Sequence, residues 1–154
     1  ISTYVSNMHV FSMYSAALLL KDYDHLKQLS RNMLSNAVLL EKELLVRSVP
    51  VIIRKSSKDS PPTHHCWIGP FNKEIAYDLY TTLERIGLLT NYRLLPYDIG
   101  YGLRLGLSGA TNSGLKAVHI PELAQIIATA YKSGYSSSLA HKSLSFIQRV
   151  KGIK

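Results

Sequence analysis

Residues 7–20 (NMHVFSMYSAALLL) are apolar around most of a helical circumference. That pattern predicts a helix buried on several sides, with AALLL at 16–20 as a core patch. Beyond a polar break at residues 22–24, Leu26, Leu29, Met33, Ala37, Leu40 and Leu44 recur every three or four positions, with Lys27, Glu41 and Lys42 between them. This is the period of a long amphipathic helix. Residues 49–54 (VPVIIR) are short and β-branched; they predict a strand that Pro50 confines to an edge or to the strand's first residues. Residues 56–62 (SSKDSPP) form a loop by composition.

A second strand is expected at 65–69 (HCWIG), ended by Pro70, with Asn72 capping a third helix. The third helix carries Ile75, Leu79, Leu83 and Ile86 on one face and stops at Gly87. A short strand falls around residues 92–95, and residues 103–107 (LRLGL) are the clearest strand in the chain. Pro121 suits a first helical turn, and Leu123, Ile126, Ile127 and Ala130 continue that helix to Gly134. The serines at 136–138 cap a last helix holding Leu139, Ile147 and Val150. Mixed order with few strands predicts an α+β fold, a small, mostly antiparallel sheet with helices packed on one face. No internal repeat and no low-complexity tract interrupts it.

Composition narrows the class. With 154 residues, 46% of them hydrophobic, the chain suffices for one domain with a real core. No apolar run reaches the roughly 18 residues of a membrane span, and no signal-peptide pattern opens the chain. One cysteine, Cys66, excludes an internal disulfide framework and points to a reducing, cytoplasmic setting. The chain begins at Ile1, as processing or excision from a longer polypeptide would leave it. A net charge of +8 raises the question of nucleic acid. The basic residues are scattered, clustered only at 54–58 and 149–154, and not interleaved with aromatics. A solvated basic surface is therefore expected rather than a nucleic-acid partner.

The segment YGLRLGLSGATNSG at 101–114 carries the candidate chemistry. In a strand, Leu103, Leu105 and Leu107 share the core face, while Gly102, Arg104, Gly106 and Ser108 share the other. Two glycines beside an arginine leave room for a group to approach the guanidinium, which suits a carboxylate. A surface ion pair for Arg104, or a bulge at the glycines, explains the same pattern.

Other candidates are weaker. His64, His65 and Cys66 are adjacent on a strand, so at most His64 and Cys66 share a face, and no second His/Cys cluster completes a metal site. No metal is expected, and His64 reads as a strand histidine near a cleft. His9 reads as a hydrogen-bonded histidine of the first helix, and nothing orients Cys66 as a nucleophile. Tyr92, Tyr97 and Tyr101 line a cleft or rim the sheet. The glycines at 100, 102 and 106 make no dinucleotide fingerprint.

The block GLRLGLSGATNSGLK, followed by PELAQII, resembles the C-terminal domain of serine hydroxymethyltransferase, with its G-[IL]-R-[IVL]-G-[TS]-P-A-x-T-x-R-G segment. SNMHVFSMYSAALLL, LSRNMLSNAVLLEKEL with Asn36 and Ala37, THHCWI and NKEIAYDLYTTLERIGLLTN resemble further segments of that family, in order. The resemblance implies the C-terminal part of a fold-type I enzyme using pyridoxal 5′-phosphate. Arg104 matches the arginine that binds the amino-acid substrate's α-carboxylate. His9, His64, Arg93 and Tyr97 would line the cleft. Residues 1–47 would be long helices linking to a missing N-terminal large domain, and 48–154 the small domain. The family's Schiff-base lysine lies upstream, so no catalytic residue is expected in this chain. A homodimer is implied. The departures are specific: the family's proline and second arginine are absent from 107–114, and Arg93 stands where an asparagine is usual. Residues 2–6 (STYVS) lack the glycines of a phosphate-binding loop. These differences speak against tetrahydrofolate use and keep a threonine aldolase- or transaldolase-type relative open.

Overall fold

The computed structural model describes residues 10–52, 63–95 and 98–152. Two helices lead, α1 (Val10–Leu20) and α2 (Tyr23–Val46). Strand β1 (His65–Phe71) and helix α3 (Lys73–Arg85) follow, then β2 (Asn91–Leu94) and β3 (Tyr101–Gly106). A short α4 (Ser108–Asn112), a 3₁₀ turn (Ala117–His119), α5 (Ile120–Ser133) and α6 (Ser137–Lys151) complete the order. The sheet has three strands in the order β1-β3-β2, both pairings antiparallel. This is the expected α+β class.

Local chemistry sets the helix ends. The Asp22 carboxylate accepts from the His25 backbone N–H, Asn72 Oδ1 accepts from Ile75 N–H at 2.8 Å, and Ser136 Oγ accepts from Leu139 N–H at 3.1 Å. Gly87 and Gly134 take positive φ of 83° and 69° just past α3 and α5. Alternation sets the sheet. Cys66, Ile68, Leu103 and Leu105 turn to one face, where they join Leu40 and Leu44 of α2, Leu79 and Leu83 of α3, and Ile126 and Ile127 of α5 in one core. α6 packs against α5.

One buried polar contact ties the long helix to the far end of the chain. Asn36 Nδ2 donates to Thr111 Oγ1 and to the Leu115 carbonyl, each at 3.1 Å. Both hydrogen bonds lie in the interior, where an unmet amide is costly.

Several expectations are corrected. α1 is exposed along its described side chains, with Phe11 88% accessible and AALLL at the surface rather than in the core. α2, the next helix, touches it but leaves its described side chains exposed. Leu26, Leu29 and Met33 are half-buried, so the α2 stripe enters the core only in its C-terminal half. The strand expected at 49–54 is reduced to a bridge, Val51 to Ile68, beside the edge of β1; residues 53 and 54 lie outside the described residues. Pro50 still behaves as an edge residue, its carbonyl accepting from Gly69 N–H at 3.0 Å. Pro70 does not end β1: the register shifts between Ile68 and Phe71 around a cis Gly69–Pro70 peptide, and the strand runs on to Phe71. Ile75 is exposed, and Ala76 takes its place in the α3 interface. Leu107 lies past β3 as the N-cap of α4, a helix that the sequence pattern did not announce.

Candidate functional site

The face of the sheet turned away from the helices carries the candidate chemistry. Registers place Trp67 of β1, Arg104 of β3 and Asn91 of β2 directly across from one another, so their side chains rise on the same side. His65 is opposite Gly106, and Arg93 is opposite Gly102.

Arg104 is half-buried, and its Nη2 donates to Asn91 Oδ1 at 2.8 Å. Among the described residues no carboxylate comes within ion-pair distance of it; the two ion pairs there join Arg47 to Glu43 and Arg149 to Glu122. The ion pair that would also explain the sequence pattern is thus not formed among the described residues. A guanidinium has five N–H donors in a planar fork, and an amide oxygen on one side orients that fork without neutralising it.

The two flanking glycines serve different ends. A Cβ at position 102 would lie 2.7 Å from the Ile68 carbonyl oxygen and 2.9 Å from Leu95 Cδ2. Leu95 is buried at 2% exposure, covering this end of the face. The expectation that Gly102 leaves room for a ligand is therefore corrected: a leucine fills that room. At position 106 a Cβ would meet nothing closer than the His65 ring, at 3.7 Å. On the Gly106 side of Arg104 the neighbour is thus the His65 ring, at ordinary contact distance.

The remaining candidates divide. His64, half-buried just before β1, touches the His65 ring with centroids 3.9 Å apart, so it borders the Gly106 end of the face. Arg93 is exposed and shares the face by register. His9 and Tyr97 lie outside the described residues. Tyr92 and Tyr101 are on the opposite side, stacked at 5.5 Å and joined to Tyr77 and Tyr80 of α3, so they pack helix on sheet. Burial, then Tyr101 and Tyr77, push the Tyr92 phenol upward. Cys66 is fully buried, and its burial, with Glu41 adding to it, raises the thiol far above the ordinary value, so it is no nucleophile.

Sequence reasoning missed Asn91, Trp67 and His65 as neighbours of Arg104. The signal that finds them is strand register, which pairs residues far apart in the chain. Trp67 Nε1 is buried without a hydrogen-bond partner in this row.

No protein-family model matches the chain. Serine hydroxymethyltransferase of Wolbachia sp. subsp. Drosophila simulans (strain wRi) is 27% identical over an alignment of 152 positions that covers 93% of this chain and 35% of that protein. L-threonine transaldolase from Pseudomonas fluorescens, solved in its internal aldimine state, has a TM-score of 0.67 and 24% identity over 79% of this chain and 28% of that one. The chain thus spans about a third of the length of each relative. It is serine hydroxymethyltransferase-like in sequence, and its α+β fold is that expected for a domain of a fold-type I pyridoxal-phosphate enzyme. Among the described residues no helix is long and apolar enough to cross a membrane.

Proposed function

We propose that this chain is the C-terminal small domain of a pyridoxal 5′-phosphate-dependent enzyme acting at the α-carbon of an amino acid, with Arg104 binding the substrate carboxylate. The observation that carries this reading is the Arg104 guanidinium, held by Asn91 on the helix-free face and paired with no described carboxylate. The three described strands contain no lysine. Its residues thus fit the substrate side of such a site, while the lysine that attaches the cofactor belongs to a large domain upstream. The cofactor, when bound, serves as the electron sink for the bond broken at the α-carbon. Arg104 fixes which α-carbon bond faces that sink by holding the carboxylate through paired N–H groups. His64 and Arg93 border the cleft, and residues 1–47 lead to the large domain. The enzyme works as a cytoplasmic homodimer, without nucleic acid.

The test uses the full-length polypeptide loaded with cofactor. Adding glycine or serine should change the cofactor's absorption, and Arg104→Ala should abolish that change while the cofactor stays bound. An unaltered response would remove Arg104 from this role. Dependence of serine cleavage on tetrahydrofolate separates hydroxymethyltransferase action from that of an aldolase or transaldolase.

A further inference from the structure

On the helical side of the sheet, at the end of β3, lies a cleft of about 290 Å³ that none of the preceding chemistry uses. Its walls are Leu105 near the end of β3, Leu107 just past it, Leu123 of α5, and Phe146, Ile147 and Val150 of α6. Three polar residues interrupt them. Thr90 contributes an Oγ1 that is buried and has no hydrogen-bond partner. Ser113 and Lys151 are exposed, and Lys151 forms no ion pair with a described carboxylate. The neighbouring Arg149 is already engaged with both oxygens of Glu122 at 2.7 Å.

The cleft is built rather than accidental in one respect. Gly114, at φ 108°, lets the chain run so close to the end of α6 that a Cβ there would lie 2.5 Å from the Val150 carbonyl. That contact fixes the turn after α4 against α6, and the wall residues Leu105, Leu107, Leu123 and Phe146 are themselves in the core. An apolar hollow with a few convergent polar groups is the usual form of a small-molecule site.

We infer that this cleft binds a small monocarboxylate with an apolar body, the carboxylate meeting the Lys151 ammonium and the body lying against Leu107, Phe146 and Ile147. Charge decides the head group, since Lys151 is the ionised residue of the lining. Volume limits the body: a 150 Å³ apolar cavity holds benzene, so this one takes about ten to twelve non-hydrogen atoms. The inference stands apart from the assignment of Arg104, which is not among the lining residues.

The probe is 3-phenylpropanoate, titrated into the full-length protein and followed by calorimetry. Saturable binding is expected, with 3-phenylpropan-1-ol and the Lys151→Gln variant each weaker by about tenfold, the scale of one lost charge-assisted contact. Gly109 lines the cleft, and a Cβ there would meet nothing within 4 Å. Gly109→Phe should therefore block binding while circular dichroism and the melting temperature stay those of the wild type. Equal affinity for the alcohol, or retained binding in well-folded Gly109→Phe, overturns the inference. So does the absence of saturable binding, which is also what a cleft covered by another part of the polypeptide would give.

Discussion

Leu95 lies over Gly102 so closely that a methyl group at position 102 would come 2.9 Å from its Cδ2 and 2.7 Å from the Ile68 carbonyl oxygen. A leucine from the segment after β2 thus closes one end of the sheet face on which Arg104 stands, and glycine is what permits it. The backbone oxygen cannot swing aside as a side chain can. Gly102→Ala should destabilise the chain by about 1–3 kcal/mol, the range for overpacking. Gly106→Ala, whose nearest contact would be an ordinary 3.7 Å to the His65 ring, should stay within about 0.5 kcal/mol of the wild type. Urea midpoints of the two variants measure the contrast, and equal losses would refute it.

Asn91 positions Arg104 through a single exposed hydrogen bond. Asn91→Ala should cost stability only about 0.5–1 kcal/mol. In the full-length enzyme it should weaken the amino-acid response less than Arg104→Ala does. Arg104→Lys should not restore that response, because an ammonium lacks the planar fork. Spectral titration with glycine checks all three variants.

Asn36 is 2% exposed and donates to two acceptors from one amide. Asn36→Ala leaves the Thr111 hydroxyl and the Leu115 carbonyl without that donor, at a cost of about 1–3 kcal/mol. Chemical denaturation should show the loss. Asn36→Leu should not recover it, since the two acceptors remain buried.

Burial holds the Cys66 thiol neutral well above the pH at which a solvated thiol ionises, and the Glu41 carboxylate adds to this. The folded-state value is raised, so the folded chain keeps a proton that the unfolded chain releases. The contribution is fully present below the unfolded value of about 8.5 and declines as pH rises above it, by up to ~1.4 kcal/mol per pH unit. Wild type and Cys66→Ala, compared by urea midpoint from neutral to alkaline pH, should converge as pH rises. A constant difference across that range would contradict the assignment.

α1 presents Phe11, Met13, Tyr14, Leu19 and Leu20 at 59–88% exposure. Large apolar side chains exposed in this number bind hydrophobic dyes and invite association. Changing Phe11, Leu19 and Leu20 together to serine should reduce dye fluorescence and self-association of the isolated chain. Its unfolding midpoint should move little. Unchanged association would show that the surface lies elsewhere.

Elements whose cause is local were legible in the residues themselves. Asn72 and Ser136 cap helices because their side chains reach an N–H three residues on, and the leucines of 103–107 alternate because strands do. The single arginine, and the block resembling serine hydroxymethyltransferase, were legible for the same reason: they are properties of neighbouring residues. What those residues meet follows from the folded packing. Register set Asn91, rather than an acid, beside Arg104, and packing put Leu95 into the space that Gly102 had appeared to keep for a ligand. Periodicity gave α1 an apolar surface but could not say that the described residues leave it uncovered. Burial and pairing depend on groups distant along the chain, and a local pattern carries no information about which of them arrive.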